Sequence, residues 1–333
     1  MTADVVLVDA GRSAVVPDGP GVPETPSQIL DGVVRALLDR SGIDVDAVGE
    51  LFLADPRYLP SDASTPDGWT FEEPPLNVRT TVSATGATAL ERAVAAVGER
   101  PDLIAVVAAS DFGSGAFAAD ADDNWFRRTA VTVANRWEVG ADEVLQWIRS
   151  SFARSIECSL AGDFAREIVT TAPGYLADTF GARRSQCPGP ARGSSAVIVT
   201  SRARALDLGL RWRAGLDVVS RSGVVEPLDA SSFDAMLAPC GVDAAHLDQL
   251  ELPEDDPITP VAWIKSTGIS RYLVNPRGGE LGFGRLARSG PLRSLVSMVG
   301  SLEATGGRSG ALIASDPGRT VAVVVTVGSP LAA

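Results

Sequence analysis

The chain has 333 residues, of which 45% are apolar, 21% charged and 6% aromatic, and its formal net charge is −13. This balance is typical of globular proteins, and the acidic excess disfavours nucleic-acid and anionic-membrane partners, because phosphate binding needs clustered lysine and arginine. No signal-peptide pattern and no apolar run of membrane-spanning length is found. The three separated cysteines, Cys158, Cys187 and Cys240, match neither a disulfide framework nor a zinc site, so a cytoplasmic protein without a metal is expected.

The first 110 residues alternate between short apolar runs and segments with helical periodicity. The apolar runs predict buried strands at 5–10, 50–55, 76–82 and 103–109. Helices are predicted from Ile29 to the glycine at 42 and over 84–100, and the Pro-rich stretch 56–75 reads as a loop.

The segment from about Ser110 to Gly193 differs, because residues 126–162 have a mostly helical pattern. After it the alternation returns, with strands predicted at 195–201, 216–222, 247–252, 311–315 and 320–327. Helices are predicted at 202–209, 233–241 and 289–307. Valine-rich strands that alternate with helices predict a layered α/β architecture with an inserted helical segment.

Four stretches in a fixed order resemble the thiolase family. They are GRSAV near residue 11, LNVRTTVSATGATALERAVAAV from 76, the helical insertion, and NPRGGELGFGRLARSG from 275. The resemblance implies a five-layered αβαβα sandwich of two similar half-domains with a shortened helical loop insertion. The implied divisions are 1–110 for the first half, 111–193 for the insertion, and 194–333 for the remaining core, mainly the second half.

The resemblance also implies which residues occupy the catalytic positions, and most of them depart from the family pattern. Ser83 stands where thiolases have the nucleophilic cysteine, and Ser315 stands where they have the second cysteine. Arg285 replaces the histidine base, and a guanidinium stays protonated and cannot accept a proton. Of the Asn-Glu-Ala-Phe segment only Glu254 is kept, and Pro253 cannot hold a water through a side chain.

Several neighbouring residues have both a functional and a structural interpretation. Ser83 is either a nucleophile or a helix-capping residue. Glu254, Asp255 and Asp256 form either an acid–base group or a solvated loop. His246, the sole histidine, is interpreted as a solvated or capping residue, with a chemical role as the alternative. By the resemblance Gly279, Gly284 and Asn275 are substrate-binding positions, where glycines allow close backbone approach.

The implied function is binding of, or action on, acyl thioesters, as an atypical acyltransferase without the Cys/His/Cys machinery. A coenzyme A thioester or an acyl-carrier protein is the implied substrate, and no tightly bound cofactor is expected. The alternatives are a noncatalytic scaffold subunit or a retro-aldol lyase that uses Tyr272. Dimerisation through LNVRTTV is expected, with a second copy or another thiolase-like chain.

Overall fold

The computed structural model describes residues 4–17, 26–55, 75–112, 130–169, 178, 180, 188–222, 227–316 and 319–328. The strands are β1 Val5–Arg12, β2 Val16–Pro17, β3 Glu50–Ala54, β4 Arg79–Val82, β5 Ala105–Phe112, β6 Ala191–Ser201, β7 Ala214–Ser222, β8 Gln249–Glu251, β9 Ser309–Asp316 and β10 Arg319–Thr326. The helices are α1 Pro26–Ser41, α2 Gly86–Glu99, α3 Ala141–Ala161, α4 Arg202–Asp207, α5 Ala230–Leu237, α6 Ile258–Thr267, α7 Glu280–Phe283 and α8 Gly290–Thr305. Residues 130–136 are also helical.

The strands follow one hydrogen-bonded path in the order β4-β3-β5-β6-β1-β7-β10-β9-β8, with β2 beside β6. The two halves of this path mirror each other about β1 and β7. Strand β3 pairs in parallel with β5, as β8 does with β9. The counterpart of β4 in the second half is a single parallel bridge between Leu250 and Val274. The two half-domains predicted from the sequence are therefore visible in the strand order.

Alternate residues of each strand face different cores, which separates the molecule into layers. In β5, positions 105, 107 and 109 join a central cluster with α2 and α8, whereas positions 106 and 108 join a cluster with α1. In β10, positions 321, 323 and 325 join the same central cluster, whereas 322 and 324 join a cluster with α5 and α6. The layers therefore run α1, first half-sheet, α2 with α8, second half-sheet, and α5 with α6, as predicted.

Predicted element types agree with the structure, but some boundaries differ. The strand predicted at 76–82 is only Arg79–Val82, because it pairs with four residues of the short β3. The helix predicted at 233–241 begins at Ala230, where the Asp229 side chain accepts a bond from Ser232 N, and gives way to a 3-10 turn from Ala238. The loop predicted at 56–75 lies almost wholly outside the described residues.

The insertion is helical where it is described, and β6, which begins at Ala191, returns the chain to the first half-sheet between β5 and β1. The domain boundaries at 110/111 and 193/194 stay predictions. Among the described residues, no helix combines the length and the apolar character needed to cross a bilayer.

A buried ion network connects β1 to the segments around the candidate site. Arg12 is 0% exposed; its Nε lies 3.1 Å from Glu167 Oε2, and Nη1 and Nη2 bond to Asp178 at 2.7 and 2.9 Å. Arg277 Nη1 donates to the other Glu167 oxygen at 2.6 Å. This network fixes the start of the segment 275–290, which carries most of the predicted site residues.

Candidate functional site

Ser83 lies between the end of β4 and the start of α2, and its side chain is buried, with 4% of the residue exposed. Its N–H donates to Leu53 O at 2.8 Å, which continues the pairing of β4 with β3. Its Oγ accepts a hydrogen bond from Arg92 Nη1 at 3.3 Å. The residue that caps α2 is Thr85, whose hydroxyl accepts from Thr88 N. The helix-capping interpretation of Ser83 is therefore wrong, and the hydroxyl is held by a cation that cannot accept its proton.

The amino-terminal ends of α2 and α8 meet directly. Gly86 N, at the first residue of α2, donates to Arg288 O at 2.9 Å. The buried Asp111 carboxylate at the end of β5 accepts bonds from Arg288 N, Ser289 N and Ser289 Oγ. Burial raises the pKa of Asp111, against these hydrogen bonds. Both helix ends are thus bonded to groups of the protein itself, which brings the Ser83 segment against the segment that follows Arg285.

Glu254 is 0% exposed and both its oxygens accept hydrogen bonds. Oε1 accepts from Trp147 Nε1 and Asn275 Nδ2, each at 3.0 Å. Oε2 accepts from Ser151 Oγ at 2.8 Å and from Leu281 N at 3.0 Å. Four donors occupy this carboxyl group, so it anchors the inserted helix α3 to the segment 275–283.

Asn275 and Gly279 belong to the same anchor. Asn275 has a left-handed backbone, with φ of 43°, which asparagine tolerates better than most residues. Its amide bonds to both backbone groups of Leu252 in addition to Glu254. A Cβ on Gly279 would lie 2.5 Å from the Glu254 carboxyl carbon, so only glycine fits there.

The neighbouring glycines allow α3 to pack closely against the backbone of the segment 278–284. A Cβ on Gly278 or on Gly282 would lie about 2 Å from Ser155 Oγ on α3. Gly284 has φ of +101° and lies against Ala191, and Arg285 exchanges backbone hydrogen bonds with Gly189 and Ala191. These glycines allow other segments of the protein to pack closely against their backbone, and their substrate-binding role stays a prediction.

The rest of the acidic run divides into two different environments. The Asp256 carboxylate accepts bonds from Ile258 N, Thr259 N and Thr259 Oγ1, at the start of α6. Asp255 is half-buried, and burial raises its pKa to about 6; the charge of Asp256 adds to the rise and that of Arg285 opposes it. The interpretation as a uniformly solvated loop is wrong.

Comparison with known proteins gives a consistent result. Human mitochondrial 3-ketoacyl-CoA thiolase, solved in complex with CoA, superposes with a TM-score of 0.83 at 15% identity, covering 98% of this chain and 99% of that one. An acetyl-CoA acetyltransferase from Syntrophomonas wolfei superposes with a TM-score of 0.81 at 17% identity, covering 98% and 100%. The chain therefore has the fold of these two enzymes.

Similarity of sequence to thiolases is weaker than similarity of fold. A steroid 3-ketoacyl-CoA thiolase of Mycobacterium tuberculosis is 25% identical over 226 residues, and an acetyl-CoA acetyltransferase of Arabidopsis thaliana is 26% identical over 122 residues. These matches cover 60% and 35% of this chain and 55% and 29% of the relatives, so the chain spans about half of their length or less. No protein-family model matches the chain.

The structure brings some of the predicted thiolase-like site residues together and separates others. Glu254, Asn275 and Gly279 form one hydrogen-bonded group. Ser83 is connected to the segment 284–290 through the bond between Gly86 and Arg288. Ser315 lies in β9 opposite Thr320, and its side chain is outside the described part of the chain. The catalytic and substrate-binding roles assigned to these residues stay predictions.

Other candidates lie away from this region or have unreactive environments. The His246 ring is exposed and pairs with Asp243, and Tyr272 is 77% exposed. Burial raises the pKa of Cys158 and of Cys240 to about 11, which keeps both thiols protonated. The remaining cysteine and the arginine pairs that could meet phosphate fall outside the described residues: Cys187, Arg127, Arg128, Arg183 and Arg184.

Sequence reasoning missed the partners of Glu254 on α3. Trp147, Ser151 and Ser155 are four residues apart and all buried, so they form one face of that helix. A tryptophan followed by two serines at helical spacing is a recognisable signal for a close, hydrogen-bonded helix contact. Asp111, which holds the start of α8, carried no comparable signal, because its partners are 177 and 178 residues away.

Proposed function

We propose that this chain is a thiolase-like protein that binds acyl thioesters, an atypical acyltransferase whose turnover does not pass through an acyl-enzyme at Ser83. The observation that carries the proposal is the environment of Ser83. Its buried hydroxyl accepts a bond from Arg92, and no histidine or carboxylate among the described residues hydrogen-bonds to it. A serine without a base within hydrogen-bond reach is a poor nucleophile.

The substrate class comes from the fold and its relatives. The structural neighbours are named as 3-ketoacyl-CoA thiolase and acetyl-CoA acetyltransferase, and one of them is a complex with CoA. Superposition over 98% of this chain supports a binding site for the same class of thioester, carried on coenzyme A or on an acyl-carrier protein.

The test separates thioester binding from acylation. Acetyl-CoA and acetylated carrier protein are titrated against the chain by calorimetry, and each mixture is then examined by intact-mass spectrometry under denaturing conditions. Saturable binding is expected with at least one carrier, without an added acetyl group and without a change in Ser83→Ala. An acetyl adduct that disappears in Ser83→Ala would refute the noncovalent mechanism, and absence of binding to both carriers would refute the substrate class.

Assembly through β4 is the second part of this proposal. Strand β4 ends the described sheet path, and β3 occupies one of its sides. An edge strand presents unpaired backbone groups that can pair with a second chain. Native mass spectrometry of the purified chain is expected to give a dimer, and Thr80→Pro, which disrupts the exposed backbone edge, is expected to give a monomer. A dimer that survives this substitution would move the interface elsewhere.

A scaffold role in a heteromer makes a different prediction. Expressed alone, a scaffold subunit would be monomeric and would bind neither thioester. The same native spectra and titrations therefore distinguish it from the acyltransferase proposed here.

A further inference from the structure

Three buried arginines surround two phenylalanine rings next to α8. Phe164 and Phe283 pack edge to face, with their ring centroids 5.4 Å apart. Arg12 Cζ lies 5.1 Å from the centroid of Phe164, and Arg277 Cζ lies 6.0 Å from the same centroid. Arg293 Cζ lies 4.7 Å from the centroid of Phe283. The rings attract the guanidinium groups, but a buried cation also needs an anionic partner.

Arg293 lacks the anionic partner that the other two arginines have. The buried ion network pairs Arg12 and Arg277 with carboxylates. Arg293 is 1% exposed, and its Nη2 donates to Ser294 Oγ at 2.8 Å. Its Nε and Nη1 are buried and reach no acceptor, and Arg293 forms no ion pair with a described residue. Buried guanidinium donors without an acceptor are costly, so these two nitrogens favour a ligand that accepts hydrogen bonds and carries negative charge.

The carboxyl groups on which the charge of Arg293 acts do not neutralise it. Burial raises the pKa of Glu251 to about 7, and the charge of Arg293 opposes this rise. Burial and the charge of Asp255 raise the pKa of Glu280 well above its ordinary value, again against Arg293. Glu280 therefore keeps its proton at neutral pH, and Glu251 keeps its proton below about pH 7. A protonated carboxyl group carries no charge that could balance the guanidinium.

We infer that Arg293 binds a small monovalent anion at Nε or Nη1. The ion supplies the missing acceptor and the missing negative charge together. A single charge matches the single buried arginine that has no ion pair. A divalent oxyanion fits less well, because the cost of removing an ion from water grows with the square of its charge. The ion stabilises the contact between α7, which carries Phe283, and α8, which carries Arg293, and this role is independent of thioester binding.

Thermal unfolding at different chloride concentrations tests this site. Sodium chloride replaces sodium gluconate from about 5 to about 500 mM at constant total salt, so that general screening stays the same. An anion that binds only the folded state raises Tm with the logarithm of its concentration. With an unfolding entropy of about 2.1 cal/mol/K per residue for 333 residues, the expected rise is about 2 °C for each tenfold increase in chloride above its Kd.

Two arginine variants assign the chloride effect to a residue. Arg293→Met removes the donors and is expected to abolish the rise in Tm. Arg211→Met is the matched control, since Arg211 is exposed, and it should keep the full rise. Circular dichroism verifies that each variant folds. A Tm of the unaltered protein that does not change with chloride would overturn the inference, and so would an equal rise in folded Arg293→Met.

Crystals of the unaltered protein in sodium bromide locate the ion directly and provide the test if Arg293→Met does not fold. An anomalous bromide peak is expected within hydrogen-bonding distance of Arg293 Nε or Nη1. A water molecule at both nitrogens, with bromide absent or bound only elsewhere, would overturn the inference. Neither experiment involves a thioester, so the anion site and the proposed function are tested separately.

Discussion

Replacing Glu251 with glutamine should remove one specific contribution to the pH dependence of folding. Glu251 is 1% exposed and accepts a hydrogen bond from Gln249 Nε2 at 2.8 Å, which a glutamine oxygen could also accept. Burial raises its pKa from 4.5 to about 7, against the charge of Arg293 and the bond from Gln249. The carboxyl group is therefore protonated in the folded protein at pH values where it is ionised in the unfolded chain.

The sign and size of the Glu251 contribution to folding stability follow from proton linkage. Between about pH 4.5 and 7 the folded state holds a proton that the unfolded state has released, so stability decreases as the pH rises. A shift of about 2.5 units at 1.36 kcal/mol per unit amounts to about 3 kcal/mol. With an unfolding entropy of about 2.1 cal/mol/K per residue for 333 residues, this corresponds to about 4 °C in Tm.

The measurement compares the unaltered protein and Glu251→Gln by urea unfolding and thermal melts from about pH 4.5 to 8. As the pH rises across this range, the free energy of unfolding of the variant should increase by about 3 kcal/mol relative to that of the unaltered protein, and most of this change should occur below about pH 7. Glu99→Gln, which removes an exposed glutamate at the end of α2, is the control and should leave the pH profile unchanged. Parallel profiles for the unaltered protein and Glu251→Gln would refute the raised pKa.

Three further results are expected. Arg12→Met removes the arginine that pairs with Asp178 and leaves Glu167 with Arg277 alone, so it should cost about 3–5 kcal/mol in urea unfolding. Arg35→Met, at an exposed pair on α1, should cost under about 1 kcal/mol. Equal losses would show that burial does not control the cost. Gly278→Ala should lower the free energy of unfolding by about 2–5 kcal/mol, and Gly306→Ala should lower it by about 1–2 kcal/mol. Both glycines have a left-handed backbone, but only Gly278 lies against α3. Equal melting temperatures of the two variants would contradict the close contact. Iodoacetamide at about pH 7 should alkylate Cys158 about 100-fold more slowly than a cysteine peptide in the same tube, because burial raises the pKa of the thiol. Peptide mapping measures both rates, and equal rates would disprove the raised pKa.

The fold could be predicted because its signals are local and repeated. Strands such as β5 and β10 are apolar at every central position, since both of their faces are covered. The helix α6 had no such signal and was not predicted. Its buried residues, Pro260, Val261, Ala262 and Trp263, are consecutive in sequence, so they form no single apolar stripe. Proline usually indicates the absence of a helix, but here it lies within the first turn, where a helix tolerates it.

The candidate site was less predictable, as the three consecutive carboxylates from Glu254 show. The sequence supplies three similar acidic groups, but Glu254 bonds to α3, Asp256 bonds at the start of α6, and Asp255 is half-buried with a raised pKa. The donors to Glu254 lie 103 and 107 positions earlier and 21 and 27 positions later, whereas those to Asp256 lie two and three positions later. The amino-acid composition around residues 254–256 does not indicate which of these partners each carboxylate contacts.

This division among the carboxylates also bears on how chemistry can change within one fold. Glu254, which matches the family pattern, has a structural contact to the inserted helix. Asp255, which does not match it, is half-buried, and burial raises its pKa to about 6 against the charge of Arg285. A thiol and an imidazole transfer protons because their pKa values lie near neutrality, and burial brings an aspartate into the same range. The resemblance predicts that the cysteines and the histidine are replaced, and a buried aspartate with a pKa of about 6 is a group that can still exchange a proton near neutral pH.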